Sequence, residues 1–262
     1  MKDAVISTMT ENEYRSLPAL NASRFKAYIR SPFHFFNQKE VETTEAMRIG
    51  TAIHTAVLEP QRYHDTIAYY PDVDGRTSEG KAIKKAFEAG AFGKTVLKAD
   101  SEQTVKRACN AIHEHSLWHK IEASNARREQ VLIGKLAGQD CKARLDLIDI
   151  EAGIIRDIKS CDDASSERFK YTVKDRLYWV QAGFYCLLAE EVYGKRFDFE
   201  FIAVENSEPS ACVFHSVDST DLLEWKGIVM AKLMAYSESK AKDLWEMPKS
   251  SVLGSINLSQ YK

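Results

Sequence analysis

The chain has 262 residues, 44% hydrophobic and 28% charged, which excludes a disordered chain and allows a substantial core without disulfide or metal staples. No apolar run approaches the ~20 residues that span a bilayer, and the opening MKDAVISTMTENEY lacks a signal-peptide core, so a cytoplasmic protein without membrane contact is expected. A net charge of -2 provides no whole-molecule attraction to nucleic acid, which leaves that task to local basic clusters: Arg24, Lys26 and Arg30; Lys81, Lys84 and Lys85; Arg127 and Arg128.

In chain order, residues 1–20 read as a loosely structured lead-in. Asn21 or Ser23 can cap a first helix that runs to Arg30 and stops at Ser31-Pro32. AMRIGTAIHTAVLEP predicts a second helix, with Ile49, Ile53, Ala56 and Val57 at helical spacing and Pro60 as its end. Gln61 to Arg76 reads as a surface loop because it holds Pro71, Asp72, Asp74 and Gly75. Helices over 78–90 and 100–118 flank a short strand at KTVLK.

From Glu129 the pattern alternates: EQVLIGKL, CKARLDLIDI and IIRDIKS, joined by the turns AGQD and EAG, predict an antiparallel meander. A helix from Val173 to Val192 follows, with Gly194 as its C-cap, then strands at FDFEFIAVE and ACVFHSV and a closing helix over 219–245. With no repeat or linker, the expectation is a single domain over 1–262, a mixed sheet flanked by helices, with a C-terminal tail from Met247 to Lys262. The five cysteines (Cys109, Cys141, Cys161, Cys186, Cys212) form no C-x-x-C pair and are expected to be reduced structural thiols.

Residues two apart on a strand share a face, so D-I-K sets Asp157 beside Lys159. In an antiparallel hairpin, facing residues have a constant sum. A two-residue turn at Glu151-Ala152, or a four-residue turn, opposes Asp146 to Asp157, whereas a three-residue turn does not unless a bulge corrects it. Facing carboxylates repel, and a hard divalent cation such as Mg2+ offsets that repulsion. A metal with an adjacent ammonium is a phosphodiester-hydrolase layout.

Four blocks, LPALNASRFKAYIRSPFHF, MRIGTAIHTAVLEP, KARLDLID with IIRDIKS, and YWVQAGFY, occur in an order that resembles the RecE-type exonucleases (exodeoxyribonuclease VIII). These belong to the P-D-(D/E)-x-K nuclease superfamily, and the likeness spans about 14–205. The resemblance implies an α/β restriction-endonuclease-like core and a Mg2+-dependent exodeoxyribonuclease, with Mn2+ able to substitute. It would degrade linear duplex DNA from 5′ ends, release 5′-mononucleotides and leave 3′ tails for recombination. It also implies a ring-shaped homo-oligomer such as a tetramer, and a phage-type single-strand annealing partner of the RecT kind.

Residue by residue, the resemblance makes Asp146, Asp157 and Lys159 catalytic, and His54, Asp146, Asp157 and the backbone carbonyl of Ile158 metal ligands. Gln181 and Tyr185, one helical turn apart, would lie beside the site and touch DNA or support the metal ligands, with core packing the other reading of Tyr185. Glu129 resembles an acid that some relatives place near the metals, and equally reads as a solvated strand-end glutamate. Arg24 and Arg30 resemble basic residues at the DNA entrance of related exonucleases. The alternatives are a CRISPR-adaptation nuclease and a non-catalytic DNA-binding module of the same fold. The first needs an early cysteine and a late group of three, whereas none precedes Cys109 or follows Cys212; the intact Asp146, Asp157 and Lys159 argue against the second.

Overall fold

The computed structural model describes residues 9–39 and 42–245; the tail from Met247 lies outside the described residues. The meander forms as expected. Strands β3 (Arg127–Leu136), β4 (Gln139–Asp149) and β5 (Ile154–Cys161) pair antiparallel, and the Ala137-Gly138 turn between β3 and β4 has both residues at positive φ, the hairpin-compatible hand. β6 (Asp198–Glu205) runs parallel to β5, and β7 (Cys212–Ser216) closes the edge, so the sheet order is β3-β4-β5-β6-β7. This is the mixed sheet that the order of elements predicts.

Helices cover both faces. On one lie α2 (Ala22–Arg30), α10 (Tyr178–Tyr193) and α11 (Ser219–Ala241), whose Phe25, Phe184 and Leu233 pack with Leu145, Ile155 and Phe199 of the sheet. On the other lie α4 (Glu45–Leu58), α7 (Ser101–His113) and α8 (Ser116–Glu122), whose Ile53, Ile112 and Trp118 pack with Leu147, Ile158 and Ile202. Burying apolar side chains on both faces of the sheet is the main force holding these layers together.

Several expectations are corrected. The lead-in contains helix α1 (Glu11–Ser16), which Thr10 and Glu13 close with a reciprocal capping box. A short helix α3 (Pro32–Phe36) follows α2, started by Ser31 and Pro32. The stretch read as a loop holds helix α5 (Tyr63–Thr66) and strand β1 (Ile67–Tyr69), which pairs in parallel with β2 (Thr95–Leu97). Pro60 opens a 3-10 turn rather than ending the helix, since α4 already stops at Leu58. The helix at 78–90 is α6 (Ser78–Gly90). The helix expected over 100–118 breaks between α7 and α8, where His115 is extended and its side chain caps the new helix. The helix expected from Val173 is two, α9 (Ser166–Asp175) and α10, broken at Leu177, which sits in the left-handed region at φ 52°. Gly194, at φ 68°, caps α10 as expected.

Candidate active site

The β4–β5 hairpin closes with Asp149 opposite Ile154, a four-residue turn, and continues through Leu147 opposite Arg156. The same sum would next oppose Asp146 to Asp157. There the strands part, and Asp146 Oδ2 accepts the Ile158 N–H at 2.7 Å instead of a strand carbonyl doing so. The pleat slips at this point: Ala143 and Leu145 pack on the α10 face, whereas Leu147 packs on the α4 face. Opposite Asp146 on β3, between the Arg128–Leu147 and Gln130–Leu145 pairs, Glu129 is held at φ 49°. A non-glycine residue in this region costs on the order of 1 kcal/mol, strain that clusters at functional sites. The slip leaves Asp146 and Glu129 with their carboxyls close to each other and to His54.

α4 brings the histidine. A Cβ on Gly50 would lie 3.0 Å from Ser160 Oγ, so a residue without a side chain lets the helix approach β5. One turn later, His54 Nε2–H donates to the Ile158 carbonyl at 2.8 Å, leaving Nδ1 3.3 Å from Asp146 Oδ2. The His54, Glu129 and Asp146 ligand atoms all lie within 4.8 Å of one another.

Asp157 and Lys159 share one face of β5, on the α10 side. Asp157 is 1% exposed; its Oδ1 accepts from Gln181 Nε2 at 2.7 Å, and its Oδ2 meets the Lys159 ammonium with no other hydrogen bond. Burial alone would lower the Lys159 pKa, but Asp157, and Asp146 behind it, outweigh that and hold it above the ordinary lysine value. Lys159 is therefore a fixed cation. Its ammonium also lies 4.7 Å from the Tyr178 ring centroid. Tyr185 lies one turn beyond Gln181 and stays protonated, its pKa raised well above normal by burial and then by Asp157.

Glu129 is not a solvated strand-end residue. Burial, and then Asp146, push its carboxyl up to about 8, while burial raises Asp146 to about 6 against the attraction of His54. Two carboxyls that resist ionisation at close range would be relieved by a divalent cation between them. The donors offered are carboxylate oxygens and one imidazole, a set that suits Mg2+ or Mn2+. The residues present therefore fit a divalent ion, which His54, Glu129 and Asp146 would hold, whereas Asp157 is engaged by Gln181 and Lys159 and the Ile158 carbonyl by His54.

Two openings flank His54. A cleft of about 920 Å3 is lined by His54, Lys159, Arg168, Tyr171, Arg176 and Tyr178. A second, of about 690 Å3, is lined by Glu11, Arg15, Glu59, Glu129 and Arg144. The predicted residues His54, Glu129, Asp146, Asp157, Ile158, Lys159, Gln181 and Tyr185 thus gather in one region. Arg30 lines a neighbouring groove, whereas Arg24 lies 5.0 Å over the Phe35 ring and takes no part in the cluster. Sequence reasoning missed three contributors. Arg144 pairs with Glu11 at 2.5 Å and approaches Glu129 at 3.8 Å; Tyr178 carries the Lys159 ammonium; and Lys26 reaches Gln181 Oε1 at 3.4 Å. Lys26 was visible as part of a basic cluster, and Arg144 and Tyr178 lay within the blocks KARLDLID and YWVQAGFY without a role assigned to them.

No curated protein matches the chain. The crystal structure of a protein from Eubacterium rectale, titled "Putative exonuclease", superposes with a TM-score of 0.65 at 14% identity, covering 97% of this chain and 98% of its own, which shows a shared fold. That of SSO0001 aligns with a TM-score of 0.32 at 13% identity over 77% of this chain and 89% of its own, and carries no argument. The family model of the PDDEXK-like domain of unknown function (DUF3799) matches residues 21–248, a span that holds His54, Asp146, Asp157, Lys159 and Gln181, and the chain belongs to that family.

Proposed function

We propose that the protein is a divalent-metal-dependent DNA exonuclease that hydrolyses linear duplex DNA from its 5′ ends, releases 5′-mononucleotides and leaves 3′ single-stranded tails for recombination. The observation that carries this reading is the convergence of the His54, Glu129 and Asp146 ligand atoms close to the Asp157–Lys159 pair, with His54 and Lys159 lining a cleft that has arginines and tyrosines on its walls. Mg2+ is the expected ion, with Mn2+ able to replace it. A RecT-like annealing protein is the expected partner for the 3′ tails, and a ring of subunits such as a tetramer the expected assembly.

The bound ion would lower the pKa of a coordinated water and offset charge gathering on the phosphate. The two carboxylates are held in place, Asp146 by the Ile158 N–H and Asp157 by the Gln181 amide, which supports their assignment to the reaction centre. Lys159 is held as a cation, so it cannot serve as the base; its role is to orient the attacking water and stabilise the phosphate oxygens. In hydrolysis a water oxygen bonds to phosphorus, the bond to the neighbouring 3′ oxygen breaks, and that oxygen leaves with a proton as the 3′-hydroxyl.

The test is digestion of linear 5′-phosphorylated duplex with and without Mg2+, beside closed circular duplex and the Lys159→Ala protein. Loss of the linear DNA alone, only with Mg2+ and only with the unaltered protein, is the expected result. Equal loss of circular DNA would remove the requirement for ends; binding without cleavage would leave a non-catalytic module.

A further inference from the structure

Lys26 is a half-buried amine with no ion-pair partner among the described residues. It projects from α2, one turn before Arg30, and its ammonium has two partners: Gln181 Oε1 at 3.4 Å and the Tyr178 ring, whose centroid is 5.0 Å away. Among the described residues no carboxylate forms an ion pair with it. The nearest acid that acts on it, Asp157, is already engaged by Lys159 and Gln181. Burial first, and then the neighbouring Lys159, pull the Lys26 pKa down to about 7. A half-buried ammonium facing a cleft without a counter-ion is a site waiting for an anion.

Its position identifies the anion. A groove of about 720 Å3 is lined by Lys26, Arg30, His34, Arg176 and Tyr178. It shares Asp175, Arg176 and Tyr178 with the cleft that holds Lys159, so the two adjoin at Tyr178. Lys159 and Lys26 lie 4.7 and 5.0 Å from the centroid of that one ring. A polyanionic strand with one phosphate at Lys159 would run past Tyr178 and set another at Lys26.

We propose that Lys26 binds the nucleic-acid strand at a phosphodiester flanking the one that is cleaved, on the Tyr178 side of the reaction centre, with Arg30 and Arg176 continuing the same track. The proposal rests on the nuclease reading for the identity of the cleaved bond. Lys26 is then a substrate-binding residue. The rival role is purely internal, with Lys26 holding Gln181 and through it Asp157.

The two roles separate by substrate length. A duplex oligonucleotide offers flanking phosphates; bis(p-nitrophenyl) phosphate offers one phosphodiester and no flank. In Lys26→Met, which keeps the aliphatic stem, the ratio of kcat/KM for the oligonucleotide to kcat/KM for the ester should fall about tenfold, and Lys26→Arg should restore most of it. An internal role would lower both rates together and leave the ratio unchanged, which overturns the proposal. A second arm needs no turnover: oligonucleotide binding by fluorescence anisotropy in EDTA across a salt series. Loss of one phosphate contact lowers the slope of log K against log salt by about 0.7 to 0.9 in Lys26→Met. An unchanged slope, or no oligonucleotide binding by the unaltered protein, also overturns the proposal. If the unaltered protein binds DNA but hydrolyses neither substrate, the nuclease reading fails, and the salt slope alone decides the role of Lys26.

Discussion

At the scale of single residues, the site is a set of charges that do not balance without an ion. Glu129 shows this most plainly, because burial and Asp146 hold its carboxyl at about 8 against an ordinary 4.5. Its folded-state pKa is raised, so the folded protein keeps a proton that the unfolded chain gives up. The resulting loss of stability is absent below the ordinary carboxylate range, grows as pH rises from about 4.5 and is complete above about 8. Glu129→Gln removes the ionisation at nearly constant shape. In metal-free urea unfolding, the variant should match the parent at pH 5 and exceed it at pH 8.5 by on the order of 2 kcal/mol. Saturating Mg2+ at pH 8.5 should then raise the parent more than the variant, because ion binding to the folded state stabilises by mass action and the variant lacks one ligand. An advantage for the variant that does not change with pH would place Glu129 outside the charge cluster.

At the scale of elements, α1 is one of the pieces that sequence reading passed over, and it is tied to the strand that carries Asp146. Lys142 of β4 is 4% exposed, and its ammonium donates to the carbonyls of Tyr14 at 2.6 Å and Leu17 at 2.8 Å, at the C-terminal end of α1, where cations are favoured. Two residues on, Arg144 pairs with Glu11, and both cations lie 4.7 Å from the Tyr14 ring centroid. A chain beginning at Pro18 would strip Lys142 of its carbonyl partners and leave Arg144 with Glu129, 3.8 Å away, so it should lose about 3 kcal/mol in urea unfolding. Lys142→Met should recover part of that loss in the shortened chain while destabilising the full one. A loss below about 0.5 kcal/mol would mean that α1 rests on the sheet without supporting it. What was legible in the sequence was periodic and local: the three-strand meander, the Asn21 cap, the Gly194 cap and the sum rule that places Asp146 near Asp157. The rest depends on contacts distant in sequence. Leu177 takes a left-handed turn that its residue type disfavours, and β1 exists only through its parallel pairing with β2. The constant sum places Asp146 one residue from its paired neighbours, but it cannot show that the pleat slips there, because the slip is shared with Glu129 across β3. His54, Asp157 and Lys159 could be aligned from their blocks of sequence. Arg144 and Tyr178 reach the cluster only through folding.

At the scale of the whole molecule, the difficulty is holding a polyanion on a chain of net charge -2. A local answer would be the track of Lys26, Arg30, Arg176 and Arg168 along two adjoining grooves, which would grip one strand but do nothing to keep the protein on DNA between cleavage events. A closed ring would do so by enclosing the duplex, with each subunit turning its basic track inward. The assembly should therefore appear in light scattering as a multiple of the 29.7 kDa chain, such as a tetramer, at concentrations where digestion is processive. Dilution below the assembly threshold should convert digestion from long continuous runs to single cleavages, while hydrolysis of bis(p-nitrophenyl) phosphate per subunit falls far less, because every ligand described here comes from one chain. Processive digestion by a protein that scatters as a single chain would rule out the ring and assign retention on DNA to the grooves alone.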